Sequence, residues 1–561
     1  MPHSPPADLI AAVDSAALMR HVTEFAKRIK LSGTAEELAS FRYLQAELDG
    51  LGYATKLILH DAYISLPLTA RLEMAGIVPH CITHSFSRPS PTAGLTAEVI
   101  YLGAGSPEDF AAQDVKGRIL LLDGIATPAV SLRASQAGAA GQIHIGPHED
   151  PHEMCISAVW GNPTPETVAN LPETVVVSVG KSDGARLKAA LSGNAPVAAT
   201  LHAAVDTGWR KTPILEAELF PAGASAEAPF VMFSGHHDTW YYGVMDNGSA
   251  NATMLEVARI AAGRRDAWQR GLRLCFWSGH SHGRYSGSTW YADTRWDELN
   301  RRCVVHVNVD STGGIGATVL SDTPSAAELR GLAADAVLAQ SGEVHAGHRM
   351  ARAGDESFWG IGIPAMYMGM SEQPAGSTIN PAAGVLGGGS TRRGAGLGWW
   401  WHTPHDTIDK IDPDNLARDT RIYVHTLWRL LSESRLPLDY AETAGDLLAE
   451  LTALGAKLGD RFDLAGLIAR AERLRAAAAL VGEDAALMAI GRALVPLDYT
   501  KGDRFDHDPA LGLAPWPVLD AMRRLAGTAP DSDDARFAEV SAIRAANRLR
   551  HALDMALAVA E

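Results

Sequence analysis

The chain has 561 residues, of which 47% are hydrophobic and 20% charged, and its formal net charge is -16. That length exceeds what a single core organises, so several domains are expected. The acidic balance argues against nucleic acid and anionic membrane surfaces as main partners, and no apolar run is long enough to span a bilayer.

The N-terminus, MPHSPPADLIAAVDS, has no basic region followed by an apolar core, so a cytoplasmic protein is the expectation. Residues 1–60 read as two helices and the start of a strand. Leu18, Val22, Phe25 and Ile29 sit at helical spacing, Ser32-Gly33-Thr34 breaks the helix, and 35–51 supplies the second, followed by the β-like TKLILH. Residues 61–215 change character. Short β-like runs at 97–102, 118–122, 142–145, 174–179 and 197–201 are separated by Gly/Pro/Asp turns, with one helix at 131–139. This predicts an inserted β-rich domain. His144, His148 and His152 lie in it without regularly spaced acidic partners and read as loop or packing residues.

Residues 216–435 alternate strand and helix, with strands predicted at 230–233, 272–277, 303–309 and 364–368. Such alternation predicts an α/β fold, a mixed and mostly parallel sheet covered by helices. Ser249 suits the cap of a helix over 250–262. The Gly/Ser-rich stretch 370–398 reads as an active-site lid. Residues 436–561 are Ala/Leu-rich, with amphipathic runs at 464–480 and 536–559, and read as a helical packing or oligomerisation layer. The cysteines Cys81, Cys155, Cys275 and Cys303 form no CxxC pair, and the last two lie in apolar runs as buried thiols.

Four stretches place polar residues at or just beyond a strand end, where open α/β sheets put ligand chemistry. They are SGHHDTW through Asp246, WSGHSHGRYSGSTWYAD at 277–293, VNVDSTGG at 307–314 and WWWHTPHDTIDKID at 399–412. His236 with Asp238 and Asp246 suits a divalent metal site; the alternative is a polar loop with a surface imidazole and a helix-capping carboxylate.

With these stretches the chain resembles the co-catalytic zinc aminopeptidase family, which includes glutamate carboxypeptidase and the transferrin receptor. The order of parts is similar as well: N-terminal helices (1–60), a protease-associated insert carrying VKGRILLLDG and QAGAAGQIHI (61–215), a metallopeptidase core (216–435) and a helical dimerisation domain (436–561). The resemblance implies that His236, Asp246 and Asp310 bind one metal. Asp246 would bridge to a second, also held by His402, and Asp238 would orient the His236 imidazole. It implies one or two divalent transition ions, zinc first, and a homodimer formed through the helical domain; a site with fewer carboxylates than the family's would admit iron or manganese as alternatives.

One departure bears on the chemistry. The family places two adjacent glutamates after the second core strand, a general base and a metal ligand, and this sequence has neither. Counted forward from Trp277, His280 falls at the base and Ser281 at the ligand. Counted back from Gly287-Ser288, Ser281 falls at the base and His282 at the ligand. His280 and His282 are thus both candidates for the proton-handling or ligand role, with an imidazole pKa already near neutrality.

For the substrate, Asp355 and Glu356 suit an amine, or else cap a helix. Tyr241 and Trp401 suit the wall of a pocket for a flat or apolar substrate, or else core packing. Arg284, Arg352, Arg392 and Arg393 suit a substrate carboxylate, or else solvated surface. The sequence thus predicts a metal-dependent hydrolase of an amide-type bond in a small molecule or short peptide. The alternatives are a metalloenzyme of another class, such as a lyase or cyclising transferase, and a non-catalytic dimeric binding protein.

Overall fold

The computed structural model describes residues 4–193, 195–376 and 393–561. Most of the glycine-rich stretch expected as a lid, and Arg392, lie outside the described residues.

The strands are β1 Ala54–Met74, β2 Cys81–Thr83, β3 Leu95–Tyr101, β4 Ile119–Asp123, β5 Gly141–Ile145, β6 Val175–Val179, β7 Ala198–Leu219, β8 Phe230–His236, β9 Gly271–Trp277, β10 Cys303–Asn308 and β11 Ala365–Met366. They form one mixed sheet in the order β11-β10-β8-β9-β7-β3-β4-β5-β6-β2, with β1 paired along β7. Two parallel groups, β11-β10-β8-β9 and β3-β4-β5-β6, are joined through antiparallel β7.

The core strands read as unbroken apolar runs because both faces are covered. In β8, Val231 and Phe233 face a cluster with the helices Ser15–Phe25, Ala250–Ala262 and Pro413–Ser432. Phe230 and Met232 pack on the other side with Trp277, Tyr291 and Phe358. The amphipathic helices Ala465–Ala478 and Asp533–Ala560 lie in the C-terminal helical layer. The four cysteines are free thiols, and Cys155, Cys275 and Cys303 are buried. Among the described residues no helix is long and apolar enough to cross a membrane.

Three local expectations differ. The run expected at 197–201 is only the start of β7, which pairs with β1 from Met74↔Ala199 to Ala54↔Glu218. Positions 61 and 215 therefore fall inside a continuous antiparallel ribbon that runs from core to insert. Along much of it one face or both is solvated, so no hydrophobic period announces its length. The strand expected at 364–368 keeps only Ala365–Met366. Ser249 does not cap its helix: its hydroxyl oxygen lies 3.0 and 2.7 Å from the carbonyls of Met245 and Thr312, the two acceptors open to its single hydrogen.

Glu328 marks the joint between core and C-terminal helices. It is buried, accepts the Thr443 hydroxyl at 2.7 Å, and its main-chain carbonyl accepts from Asp439 N at 2.9 Å. Burial pushes its carboxyl up to about 7, against about 4.3 in an unfolded chain. Between those values the folded state holds a proton that the unfolded state releases. The stability this contributes is complete below the unfolded pKa and is lost as pH rises through about 7. We expect Glu328→Gln to flatten this slope and to be more stable than wild type at pH 8, on the order of 3 kcal/mol by urea unfolding. Equal stability of the two proteins at pH 5 and pH 8 would contradict it.

Candidate metal centre

Parallel strand ends deliver the first groups. β8 pairs β9 with His236 opposite Trp277, and pairs β10 with Ser234 opposite Asn308. Two residues beyond that last pair stand His236 and Asp310. Past Trp277 the chain turns at Gly279, whose φ is 78° and where a Cβ would meet Ser286 Oγ at 2.0 Å. This turn lays His280 over His236, ring centroids 3.7 Å apart with 13° between the planes. His236, His280 and Asp310 each offer a ligand atom within 4.8 Å of the other two.

Loops deliver Asp246 and His402. The main-chain N–H groups of Met245 and Asp246 donate to the Asp406 carboxylate at 2.8 and 3.0 Å, which fixes the turn that carries Asp246. Asp246 Oδ1 lies 3.0 Å from His236 Nε2, and its Oδ2 lies 3.0 Å from His402 Nε2. Asp310 Oδ2 is 3.5 Å from the same His236 nitrogen. The far nitrogens are fixed by main chain: His236 Nδ1–H donates to Asp238 O at 2.8 Å, and His402 Nδ1–H to Glu153 O at 2.7 Å. In the neutral rings this leaves the lone pairs on Nε2, the state that metal-bound imidazoles adopt.

Two atoms test whether the residues fit a cation. His236 Nε2 and Asp246 Oδ1 are buried and close, yet not aligned as a hydrogen bond, and neither has a hydrogen-bond partner elsewhere. A lone pair facing a carboxylate oxygen is unfavourable without positive charge between them. The electrostatics agree. Burial alone would lower the His236 pKa, but Asp310 and Asp246 outweigh it and hold the imidazole well above its usual range. His402 meets a single carboxylate, so burial prevails and its pKa is lowered. Burial would raise the Asp246 carboxyl, yet the two imidazoles hold it below the usual carboxylate range. Two imidazoles and two carboxylates suit zinc or another divalent first-row ion.

The backbone around the centre is strained. Tyr241, Arg284, Tyr285, Ser311 and His402 have φ of 51°, 45°, 70°, 46° and 58°, the left-handed region that costs a non-glycine residue energy and recurs at functional sites. In front lies a cavity of about 220 Å³, walled by Trp240, His280, Arg284, Tyr285 and Trp401 from the core and by Pro128, Met154 and Cys155 from the insert.

The remaining candidate residues take other places. The Asp238 carboxylate is 3.8 Å from His236 Nδ1, and its main-chain oxygen, not the carboxylate, orients that ring. The carboxylate instead accepts from His280 N, Ser281 N and the Ser32 hydroxyl at 3.2, 2.9 and 2.6 Å, pinning the 280–281 loop. His282 points away from the cavity, its Nδ1 2.9 Å from Ser32 Oγ and its ring 4.4 Å from that of Trp240. Burial pushes its pKa down to about 3, so the ring is neutral. Asp355 is buried against His280 and Ser288, at 2.8 Å from each, and does not line the cavity. Burial would raise its carboxyl, but His280 outweighs this and lowers it. Glu356 is buried beside His306 at 3.2 Å. Tyr241 leans to Glu153 of the insert rather than into the cavity. Trp401 stacks on His402 at 3.5 Å between centroids. Arg284 lines the cavity while its Nε donates to Ser157 O at 3.2 Å. Arg352 also lines it, donating to Asp508 O at 2.8 Å. The main-chain N–H of Arg393 donates to Asp322 at 2.6 Å, away from the cavity. His152 ties the insert to this region, its Nδ1–H donating to Trp401 O at 2.5 Å, and His148 Nδ1 is 3.0 Å from its other nitrogen.

Asp406, Glu153, Ser32 and Ser288 went unassigned in the sequence. Asp406 stands in the quoted HTPHDT string and was open to recognition there. Glu153 acts on His402 through a main-chain oxygen, which no side-chain pattern encodes.

Residues 219–427 match the family model of Peptidase family M28. The core of the chain is therefore similar to this family. Among curated relatives, the chain is 31% identical over 91 residues to the probable glutamate carboxypeptidase VP8 of Zea mays, which is 16% of this chain and 13% of that protein. It is 25% identical over 301 residues to the aminopeptidase NAALADL1 of Mus musculus, 46% of this chain and 38% of that protein. The chain thus spans well under half the length of these relatives. Among solved structures, BSAP, a zinc aminopeptidase from Bacillus subtilis, superposes with a TM-score of 0.55 at 20% identity, covering 75% of this chain and 96% of that one. At that identity the likeness is one of fold, and the centre described here lies in the stretch that matches the M28 model.

We expect Asp246→Ala to lose all bound zinc by elemental analysis after dialysis. His236→Ala and Asp310→Ala are expected to weaken it on the order of 100-fold or more. Full zinc occupancy in Asp246→Ala would refute the assignment.

Proposed function

We propose that the protein is a metal-dependent hydrolase that cleaves an amide-type bond in a short peptide or small molecule. The observation that carries this is Asp246, 3.0 Å from an imidazole on each side with buried unpartnered atoms facing each other. His236, Asp246 and Asp310 would hold one divalent ion, and Asp246 and His402 a second. When bound, such ions polarise a carbonyl and acidify water. Zinc is favoured by the donor set and by the likeness in fold to the Bacillus subtilis zinc aminopeptidase.

This chain's own residues do the rest. Trp240, Tyr285 and Trp401 wall the cavity with apolar surface that excludes water and seats a substrate side chain. Arg284 and Arg352 line the same cavity, and no carboxylate of the described residues pairs with either, so a substrate carboxylate is the partner they suit. His280, at the cavity wall, handles the proton in place of the family's glutamate. The exposed Phe537 and Val540 on helix Asp533–Ala560 support a homodimer through the helical layer.

The zinc-loaded protein is expected to hydrolyse aminoacyl-4-nitroanilides or short peptides, to lose at least about 90% of that activity with a chelator, and to regain it with added zinc or manganese. Activity indifferent to complete metal removal would overturn the reading. Tight metal binding with no amide hydrolysis across a peptide panel would favour the non-hydrolytic alternative.

A further inference from the structure

The buried carboxylate of Asp355 has no access to the cavity. Its relative exposure is 1%, and its neighbours Ala353 and Gly354 line the cavity while it does not. Both of its oxygens are engaged: Oδ2 is 2.8 Å from His280 Nδ1, and Oδ1 accepts the Ser288 hydroxyl at 2.8 Å. Ser288 Oγ is in turn 2.9 Å from Ser357 Oγ. An ionised carboxylate only accepts, so the hydrogen on a neutral His280 ring must sit on Nδ1 and the lone pair on Nε2. His280 itself lines the cavity.

The stacking decides what that lone pair can do. An imidazole lone pair lies in the plane of its ring. The rings of His236 and His280 are cofacial, 3.7 Å apart and 13° from parallel. One ion cannot lie in both planes with bonds of about 2.0–2.1 Å to each nitrogen. His236 is the ring whose Nε2 meets Asp246 and Asp310. His280 is therefore left with a free lone pair beside the centre rather than a bond to that ion.

Building on the hydrolase reading above, we propose that His280 and Asp355 form the proton-transfer pair of this enzyme. His280 is its catalytic residue and Asp355 the positioning residue, held in place by Ser288. His280 Nε2 takes a proton from water as the water oxygen bonds to the carbonyl carbon. The imidazolium then gives that proton to the amine nitrogen as the C–N bond breaks, leaving acid, amine and neutral imidazole. Asp355 stays ionised throughout, fixing the tautomer and stabilising the imidazolium, the role a buried aspartate plays behind a catalytic histidine. A glutamate base needs no such support, having one ionised form and no tautomers.

Two readouts test this in the zinc-loaded full chain. Asp355→Asn is expected to lower kcat about 10²–10⁴-fold with KM within about threefold and zinc content unchanged. Ser288→Ala is expected to lower kcat by a smaller factor, on the order of tenfold. The second readout needs no substrate. In histidine-selective ¹⁵N NMR, the resonance lost in His280→Gln is expected to report an Nδ1–H tautomer in wild type and a mixed tautomer in Asp355→Asn. An Nε2–H tautomer in wild type would overturn the pair even if no hydrolytic substrate is found, so its failure and that of the hydrolase reading are separable. Loss of zinc in His280→Gln would make His280 a ligand instead. A rise in KM alone in Asp355→Asn would return Asp355 to substrate binding. If Asp355→Asn does not fold, Ser288→Ala and the wild-type tautomer decide the matter.

Discussion

The carboxylate of Asp246, set between two imidazoles and buried from water, is the contact on which the rest of this centre depends. On the His236 side the two facing atoms share no aligned hydrogen bond, an arrangement that positive charge between them would relieve. Everything nearby serves to hold it. Asp406 grips the turn through the N–H groups of Met245 and Asp246. Main-chain oxygens grip the far nitrogens of both rings. Main-chain partners cannot be repositioned by a change of side chain, which makes the two ring orientations properties of the fold.

The insert is part of this centre rather than an appendage. Glu153 and His402 exchange two main-chain-mediated bonds: His402 Nδ1–H to Glu153 O at 2.7 Å, and Glu153 N–H to His402 O at 3.0 Å. His152 adds a third tie, to Trp401 O. Met154 and Cys155, next along the chain, wall the cavity. The β1–β7 ribbon that carries the insert is continuous with the core sheet, so cavity and candidate ligands are set by one mechanical unit.

The loop at 280–282 carries two imidazoles that differ in burial and in partners. His280 reaches the cavity and meets a carboxylate, while His282 is sealed beneath Trp240 with its ring neutral. Asp238 holds the loop from below by accepting its N–H groups.

Much of the architecture was legible in the sequence. The core strands bury both faces, so 230–233, 272–277 and 303–309 announce themselves as apolar runs, and helix Ala250–Ala262 does so by its period and flanking turn. The polar stretch beyond the first run marked His236 and Asp246 as candidates, and the family resemblance added Asp310 and His402. The sequence could not say which of His280 and His282 faces the cavity. That depends on a left-handed turn at Gly279 and on what packs beneath it, a three-dimensional choice between residues two apart. Nor could it say that Asp355 reaches back 75 positions to His280 while its neighbour Glu356 meets His306 instead. Hydrophobic periodicity reports which face of an element is buried, whereas the partner of a buried polar group is settled only when distant segments pack and each charge must find its counterpart.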